Sequence, residues 1–141
     1  MRKICIAAVL LLAASAAFAQ STPVGLWKTI DDDSGQEKSL VRISSADGQL
    51  IGKVDKLLDP GQQAILCQHC SGERENKPVL GLQIIDGVRQ DGDTWGGGQI
   101  LDPKNGKLYK VRLKPVDNGR KLEVRGYIGP FFRTQTWVRV E

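Results

Sequence analysis

The sequence predicts an all-β fold, an antiparallel meander of roughly eight strands that closes into a barrel. Three observations predict it. Turn signals recur at short, regular intervals: Asp31 to Gly35, Ala46-Asp47-Gly48, Asp59-Pro60-Gly61, Asp86-Gly87, Asp91-Gly92, Asp102 to Gly106 and Asp117-Asn118-Gly119. Glycine accepts a positive φ at such places, and Asp or Asn bonds back to the local backbone. The runs between them are rich in Val, Ile, Leu and Trp, and several alternate with period two. No stretch after the first twenty residues makes an amphipathic helix.

The first element is an export signal over residues 1–19. Met1-Arg2-Lys3 supplies the positive start, Ile4 to Leu12 is almost wholly apolar, and Ala17-Phe18-Ala19 presents the small-x-small cleavage pattern. The apolar stretch falls short of the ~20 residues that span a bilayer, so cleavage after Ala19 is favoured over a membrane anchor. Cys5 precedes the apolar run, where it cannot serve as a lipid attachment site. The expected mature chain is residues 20–141, periplasmic or secreted, and long enough for one domain with a single core.

Strands are expected near 24–30, 37–45, 49–57, 79–86, 93–101, 107–115, 120–128 and 131–140. Tyr109, Val111 and Leu113 share one face of the sixth, against Lys110, Arg112 and Lys114. In the seventh, Leu122, Val124 and Ile128 oppose Glu123, Arg125 and Tyr127. In the eighth, Phe132, Thr134, Thr136, Val138 and Val140 oppose Arg133, Gln135, Trp137 and Arg139. Segment 58–78 is the one large loop. Closing the sheet removes both exposed edges, and an eight-stranded closure either fills with side chains or holds one small ligand. A two-sheet sandwich is the main competing architecture.

The chain carries 20 Lys and Arg against 16 Asp and Glu, and loss of Arg2 and Lys3 with the signal lowers the net charge from +4 to +2. That bias is too small to argue for nucleic acid or for an anionic membrane surface. Cys67 and Cys70 are the two cysteines left after the signal. In an oxidising compartment so close a pair is most simply a disulfide.

Two stretches resemble known families. Val24-Gly25-Leu26-Trp27 resembles the first strand of lipocalin-type barrels, in which the Trp plugs one end beneath a basic residue of the last strand; Arg139 would be that residue. A longer set runs through the chain: Cys67-x-x-Cys70, Lys77-Pro78, Leu80-Gly81, Trp95-Gly96-Gly97-Gly98, Ile100-Leu101-Asp102-Pro103, Gly106-Lys107-x-Tyr109, Leu122-x-x-Arg125-Gly126-Tyr127-Ile128-Gly129 and Arg133-Thr134-Gln135-Thr136-Trp137-x-Arg139. In this order it resembles the exported bacterial family known as domain of unknown function 2147. The resemblance implies a lipocalin-like barrel, periplasmic or secreted, with no established activity. One departure is the short Gly129-Pro130-Phe131-Phe132 link, which lacks the glycine that the family places before the Arg-Thr-Gln-Thr-Trp run. It predicts a tighter last hairpin, with two Phe residues capping the mouth.

Chemistry-bearing residues are few. Cys67-Gln68-His69-Cys70 lies in a loop with no helix behind it to lower a thiolate pKa, which favours a structural disulfide over a redox pair. Ser71 stands where a c-type haem site needs His, and adjacent His69 and Cys70 do not easily share one zinc ion. Asp31-Asp32-Asp33 offers oxygen ligands without calcium-loop spacing, and reads as a solvated turn. A single His without a placed base or orienter makes a Ser-His-Asp hydrolase a poor expectation. No catalytic residue, metal site or cofactor is assigned.

The remaining candidates form a ligand site: Trp95, Tyr109 and Trp137 as an apolar wall, with Arg125, Tyr127, Arg133 and Gln135 as a polar-aromatic face. If that face points inward, a guanidinium can grip a carboxylate or phosphate bidentately. The opposite arrangement puts Val124, Ile128, Val138 and Val140 inside, as a β-branched face belongs in a core. The expected function is an exported, non-enzymatic protein that binds a small amphipathic, hydrophobic or lipid-like ligand, with neither nucleic acid nor a stable membrane anchor as partner. The alternatives are a redox accessory protein working through Cys67 and Cys70, and an envelope interaction module. The oligomeric state is not legible.

Overall fold

The computed structural model describes residues 21–141. The export signal and its cleavage point lie outside the described residues. Eight strands follow in chain order: β1 (Gly25–Ile30), β2 (Glu37–Ala46), β3 (Gln49–Leu57), β4 (Gln83–Asp91), β5 (Thr94–Asp102), β6 (Lys107–Val116), β7 (Lys121–Ile128) and β8 (Phe131–Arg139). Each pairs antiparallel with the next, and β8 returns to β1, so the sheet closes into a barrel as expected. The sandwich is thereby excluded.

The up-and-down order gives the barrel two different ends. Residues 21–24, the short β2–β3, β4–β5 and β6–β7 turns and the last residues after β8 gather at one end, called here the closed end. The mouth gathers the β1–β2, β3–β4, β5–β6 and β7–β8 connections. Trp27, Trp95 and Trp137 all sit in the closed half and are buried, with Ile43, Leu113 and Leu122 fully buried around them. This clustering of large side chains fills the lower barrel, in keeping with an eight-stranded interior just wide enough to be packed by its own residues.

The closure is locked by the first and last strands. Trp27 pairs with Arg139 across β1 and β8, and the guanidinium lies 4.2 Å over the Trp27 ring. Arg139 donates to the carbonyls of Gly119 (2.6 Å), Val24 (2.8 Å) and Thr22 (2.7 Å). Trp27 donates from Nε1 to the Pro23 carbonyl at 2.7 Å. Gly25 takes φ +145°, and a Cβ there would lie 2.6 Å from the Glu141 carbonyl oxygen. The Gly-x-Trp pattern and Arg139 thus form the expected plug.

The fourth strand departs from its expected bounds. Residues 79–82 belong to the preceding segment, where Val79 N–H bonds Ile65 and Leu82 N–H bonds Val79. Asp86-Gly87, expected to end the strand, is a kink within it: Gly87 has φ +66° and the strand runs on to Asp91. Gly98 on β5 faces that kink so closely that a Cβ would overlap the Asp86 carbonyl. Glycine serves here for close backbone approach in a bent strand, and its turn-like signature is the same from either cause.

The long β3–β4 segment is not a free loop. Two short 3-10 turns, Pro60–Gln62 and Gly72–Arg74, shape it, and Leu66 bridges Pro78. Ile85 pairs with Ile100, so alternation sends Ile84 and Leu101 to the outside of the barrel. Both are nevertheless buried, in one cluster with Val79, Leu82, Cys67 and Cys70. The segment therefore folds over the outer wall as a small second layer. Its contact with the β5–β6 turn is tight, since a Cβ at Gly106 would overlap the His69 carbonyl.

Candidate binding site

Direct cross-strand partners share a face of an antiparallel sheet. Leu122 pairs with Trp137, Val124 with Gln135 and Gly126 with Arg133. Across the other edge of β7, Gly126 pairs with Val111 and Val124 with Leu113, both buried. The inner face therefore carries Leu122, Val124, Trp137, Gln135 and Arg133. The outer face carries Arg125 and Tyr127 opposite Thr134 and Phe132.

The polar-aromatic set is thus split between the two sides of the wall, and neither sequence grouping survives whole. Arg133, Gln135 and Trp137 face inward, while Arg125 and Tyr127 face outward. Val124 and, at the rim, Ile128 share the inner face, but Val138 and Val140 are on the outside, 36% and 48% exposed. Register decided this: Trp27 needs Arg139 on the inner face of β8, and period two then turns Trp137, Gln135 and Arg133 inward with it. On the outside, Arg125 donates to Thr134 Oγ1 at 2.8 Å and lies 4.7 Å from the Phe132 ring centre.

Trp95 and Tyr109 also face inward, Trp95 opposite Leu113 and Tyr109 opposite Ile100. They do not bound one chamber. Trp95 and Trp137 are packed in the closed half, whereas Tyr109 is half-buried near the mouth, where its hydroxyl accepts from Asn105 at 3.1 Å. Gly126 makes room for it, since a Cβ there would come within 3.3 Å of the Tyr109 Cβ. Two open grooves lie on the outside, beside Arg74 and Gln83. Neither groove lies between Trp95, Tyr109 and Trp137.

What the inner face of β8 does build is a polar ladder rising to the mouth. Trp137 Nε1 donates to Gln135 Oε1 at 2.9 Å, and Gln135 Nε2 donates to Asp32 Oδ1 at 3.2 Å. Arg133 grips the same carboxylate bidentately, Nε to Oδ2 at 3.0 Å and Nη2 to Oδ1 at 2.6 Å, and also reaches Asp33 at 3.1 Å. Paired N–H···O bonds of this kind are among the strong polar contacts of proteins. The Arg133 hydrogen bond, above all, holds the Asp32 carboxyl below the usual carboxylate range. The same bond raises the Arg133 guanidinium above its ordinary value.

Asp32 is the residue that the sequence reading missed, having assigned the triplet to a solvated turn. Asp31 does behave as a turn residue: its carboxylate accepts from the Asp33 and Ser34 amides at 3.0 and 2.8 Å. Those bonds, the Ser34 amide first, lower its pKa. One carboxylate suffices for that turn. The signal available in the sequence was the surplus of two further acids, whose partner lies about a hundred residues away. The three carboxylates come within 4.8 Å of one another, with Arg133 already on two of them.

Cys67 and Cys70 form the expected disulfide, with Cα atoms 5.3 Å apart. Cys67 is fully buried and Cys70 nearly so, beneath the outer layer. Only the short 3-10 turn Gly72–Arg74 follows the pair, no α-helix is present among the described residues, and His69 is exposed on the loop between the cysteines.

Comparison with known proteins agrees with this geometry. No curated protein matches the chain. A solved structure described as "Protein HP1028 from the human pathogen Helicobacter pylori belongs to the lipocalin family" superposes with a TM-score of 0.72 at 20% identity, over 84% of this chain and 82% of that one. At that identity the likeness establishes the fold, a lipocalin-like barrel. Residues 25–139 match the family described as "Uncharacterized protein conserved in bacteria (DUF2147)". That match takes in every strand, and the chain belongs to the DUF2147 family.

Proposed function

We propose that this chain is an exported, non-enzymatic barrel protein that binds a small amphipathic or lipid-like ligand at its mouth, through an anionic head group. The observation that carries the reading is the convergence of Arg133 and Gln135 on a single carboxylate, that of Asp32. An external carboxylate or phosphate fits the same donors once the β1–β2 loop swings aside. Ligand sites are mainly apolar with a few convergent polar groups that fix orientation, and Tyr109 and Ile100 supply apolar wall on the same inner face. The proposed anchor is Arg133, with Gln135 beside it; Arg125 and Tyr127, on the outer face, take no part in it.

Fluorescence titration of the mature protein with oleate tests this. Trp137 bonds the ladder directly, so its emission reports the exchange. Arg133→Ala, which removes a charge-assisted pair, is expected to weaken binding by at least about tenfold. Asp32→Asn, which removes the resident competitor, is expected to strengthen it. No spectral change, or affinities indifferent to both substitutions, would overturn the reading.

The filled lower barrel favours a second reading, an envelope interaction module without a ligand. Native mass spectrometry of protein from its own host separates the two: a bound small molecule supports the carrier, and a bare mass with a protein partner supports the module.

A further inference from the structure

We infer that the tip of the β7–β8 hairpin, together with the outer face of β6 and β7, is a docking surface for an anionic phospholipid bilayer. This does not depend on any ligand in the barrel mouth.

The hairpin turns in two residues, Gly129 and Pro130, since Ile128 pairs directly with Phe131. The expected tight turn is thus present; register puts Phe131 with Ile128 on the inner-face side of the mouth rim and Phe132 with Tyr127 on the outer side. Phe131 is 75% and Phe132 58% exposed, with Ile128 and Leu108 beside them at 43% and 42%. Phe132 is held in place by Arg125 at 4.7 Å and by the Tyr127 ring at 6.0 Å, so it stands out from the wall with its ring orientation set. Apolar side chains this exposed, gathered from both faces of the hairpin end, contribute little to the fold of the isolated barrel, and exposed apolar surface marks interaction sites.

The charges behind the tip identify the partner. Alternation places Lys110, Arg112, Lys114, Lys121 and Arg125 on the outer face of β6 and β7, with Glu123 as the one acid among them. None of these five cations joins an ion pair of the described residues. Lys110 stands opposite Tyr127, one residue from Ile128. Arg112 and Arg125 face each other about 7 Å further from the tip, at the usual rise per strand residue. Apolar side chains leading and cations following is the depth profile of a bilayer, acyl region beneath phosphate layer. A nucleic acid would meet Ile128 and Leu108 with nothing to pair them, which makes it the poorer fit. The small net charge of the whole chain hides this face, because the compensating acids lie elsewhere on the barrel.

Vesicle flotation of the mature protein tests the inference. Binding is expected to equimolar phosphatidylcholine and phosphatidylglycerol, and to fall at least about tenfold on phosphatidylcholine alone or at high salt. The pair Phe131→Ser and Phe132→Ser, and separately the pair Lys110→Glu and Arg112→Glu, are each expected to lose binding by a similar factor. All four side chains are exposed, so an unchanged thermal melt certifies the fold. Lys53→Glu with Lys56→Glu, a charge-matched pair on β3, is expected to leave binding within about twofold. Absence of binding to the anionic vesicles overturns the inference, as does equal loss in the β3 pair. Self-association that vanishes with the two Phe substitutions, without vesicle binding, would assign the tip to a second copy of the chain instead.

Discussion

Arg139 lies 4.2 Å over the Trp27 ring while three of its nitrogens bond carbonyls of Gly119, Val24 and Thr22. One side chain thus ties the last strand to the first strand, to the residues before it and to the β6–β7 turn. Lysine can copy the charge but not the planar stack with its fan of donors. Arg139→Lys is therefore expected to lower stability by about 2 kcal/mol, with Arg139→Met losing more by leaving the buried Gly119 carbonyl without its donor. Urea denaturation measures both, and a change below ~0.5 kcal/mol for either would deny the side chain a structural role.

Gly25 has a sharper requirement than a turn glycine, because both its dihedral and its surroundings exclude a Cβ. Gly25→Ala must twist the chain away from φ +145° or push the C-terminal backbone at Glu141 outward. Strain of this kind costs about 1–3 kcal/mol. The expected loss should be accompanied by faster amide exchange across the β1–β8 seam, where Leu26 and Glu141 share a bond of 2.8 Å.

Acid should release the β1–β2 loop before it unfolds the barrel. The folded pKa of Asp32 is depressed, so its contribution is complete above the unfolded carboxylate value, about 3.9, and is lost as pH falls through the lower folded value. Asp31, lowered by its own turn, acts in the same direction. Amide exchange over residues 31–36 is expected to accelerate in that acid window. In Arg133→Ala, part of that acid dependence should disappear, and an unaltered profile would show that Arg133 does not set it.

The disulfide is expected to stabilise the outer layer without turning over. Its short loop confines the entropic benefit to about 2 kcal/mol, so Cys67→Ser with Cys70→Ser should lower stability by roughly that amount. Burial of Cys67 leaves little for a partner thiolate to attack. Insulin reduction catalysed by the wild-type chain and abolished in the double variant would establish a redox role instead.

The strand count, the antiparallel order and the plug of Gly25, Trp27 and Arg139 were legible in the sequence because they rest on local signals: turn chemistry, period two and one short motif. The same signals misplaced β4, since a glycine that lets two strands approach looks identical to one that ends a strand. They also placed Tyr109, Val111 and Leu113 together correctly, as residues of one strand need only parity to share a face.

Which of two faces turns inward is another matter, because parity within a strand does not say how that strand is registered against its neighbour. Arg125 and Arg133 both alternate properly, yet the pairing of Gly126 with Arg133 sends one outward and the other inward. The Asp32–Arg133 grip was equally out of reach, being a contact across most of the chain between a loop and a strand. The sequence by itself determined that a barrel forms and which residues close its end, through local backbone preference and hydrophobic alternation. Only the tertiary structure decided that the lower interior is filled, that the mouth holds a carboxylate in an arginine fork, and that the cations gather behind an apolar tip, because each depends on strand register, a long-range quantity that one residue's shift reverses.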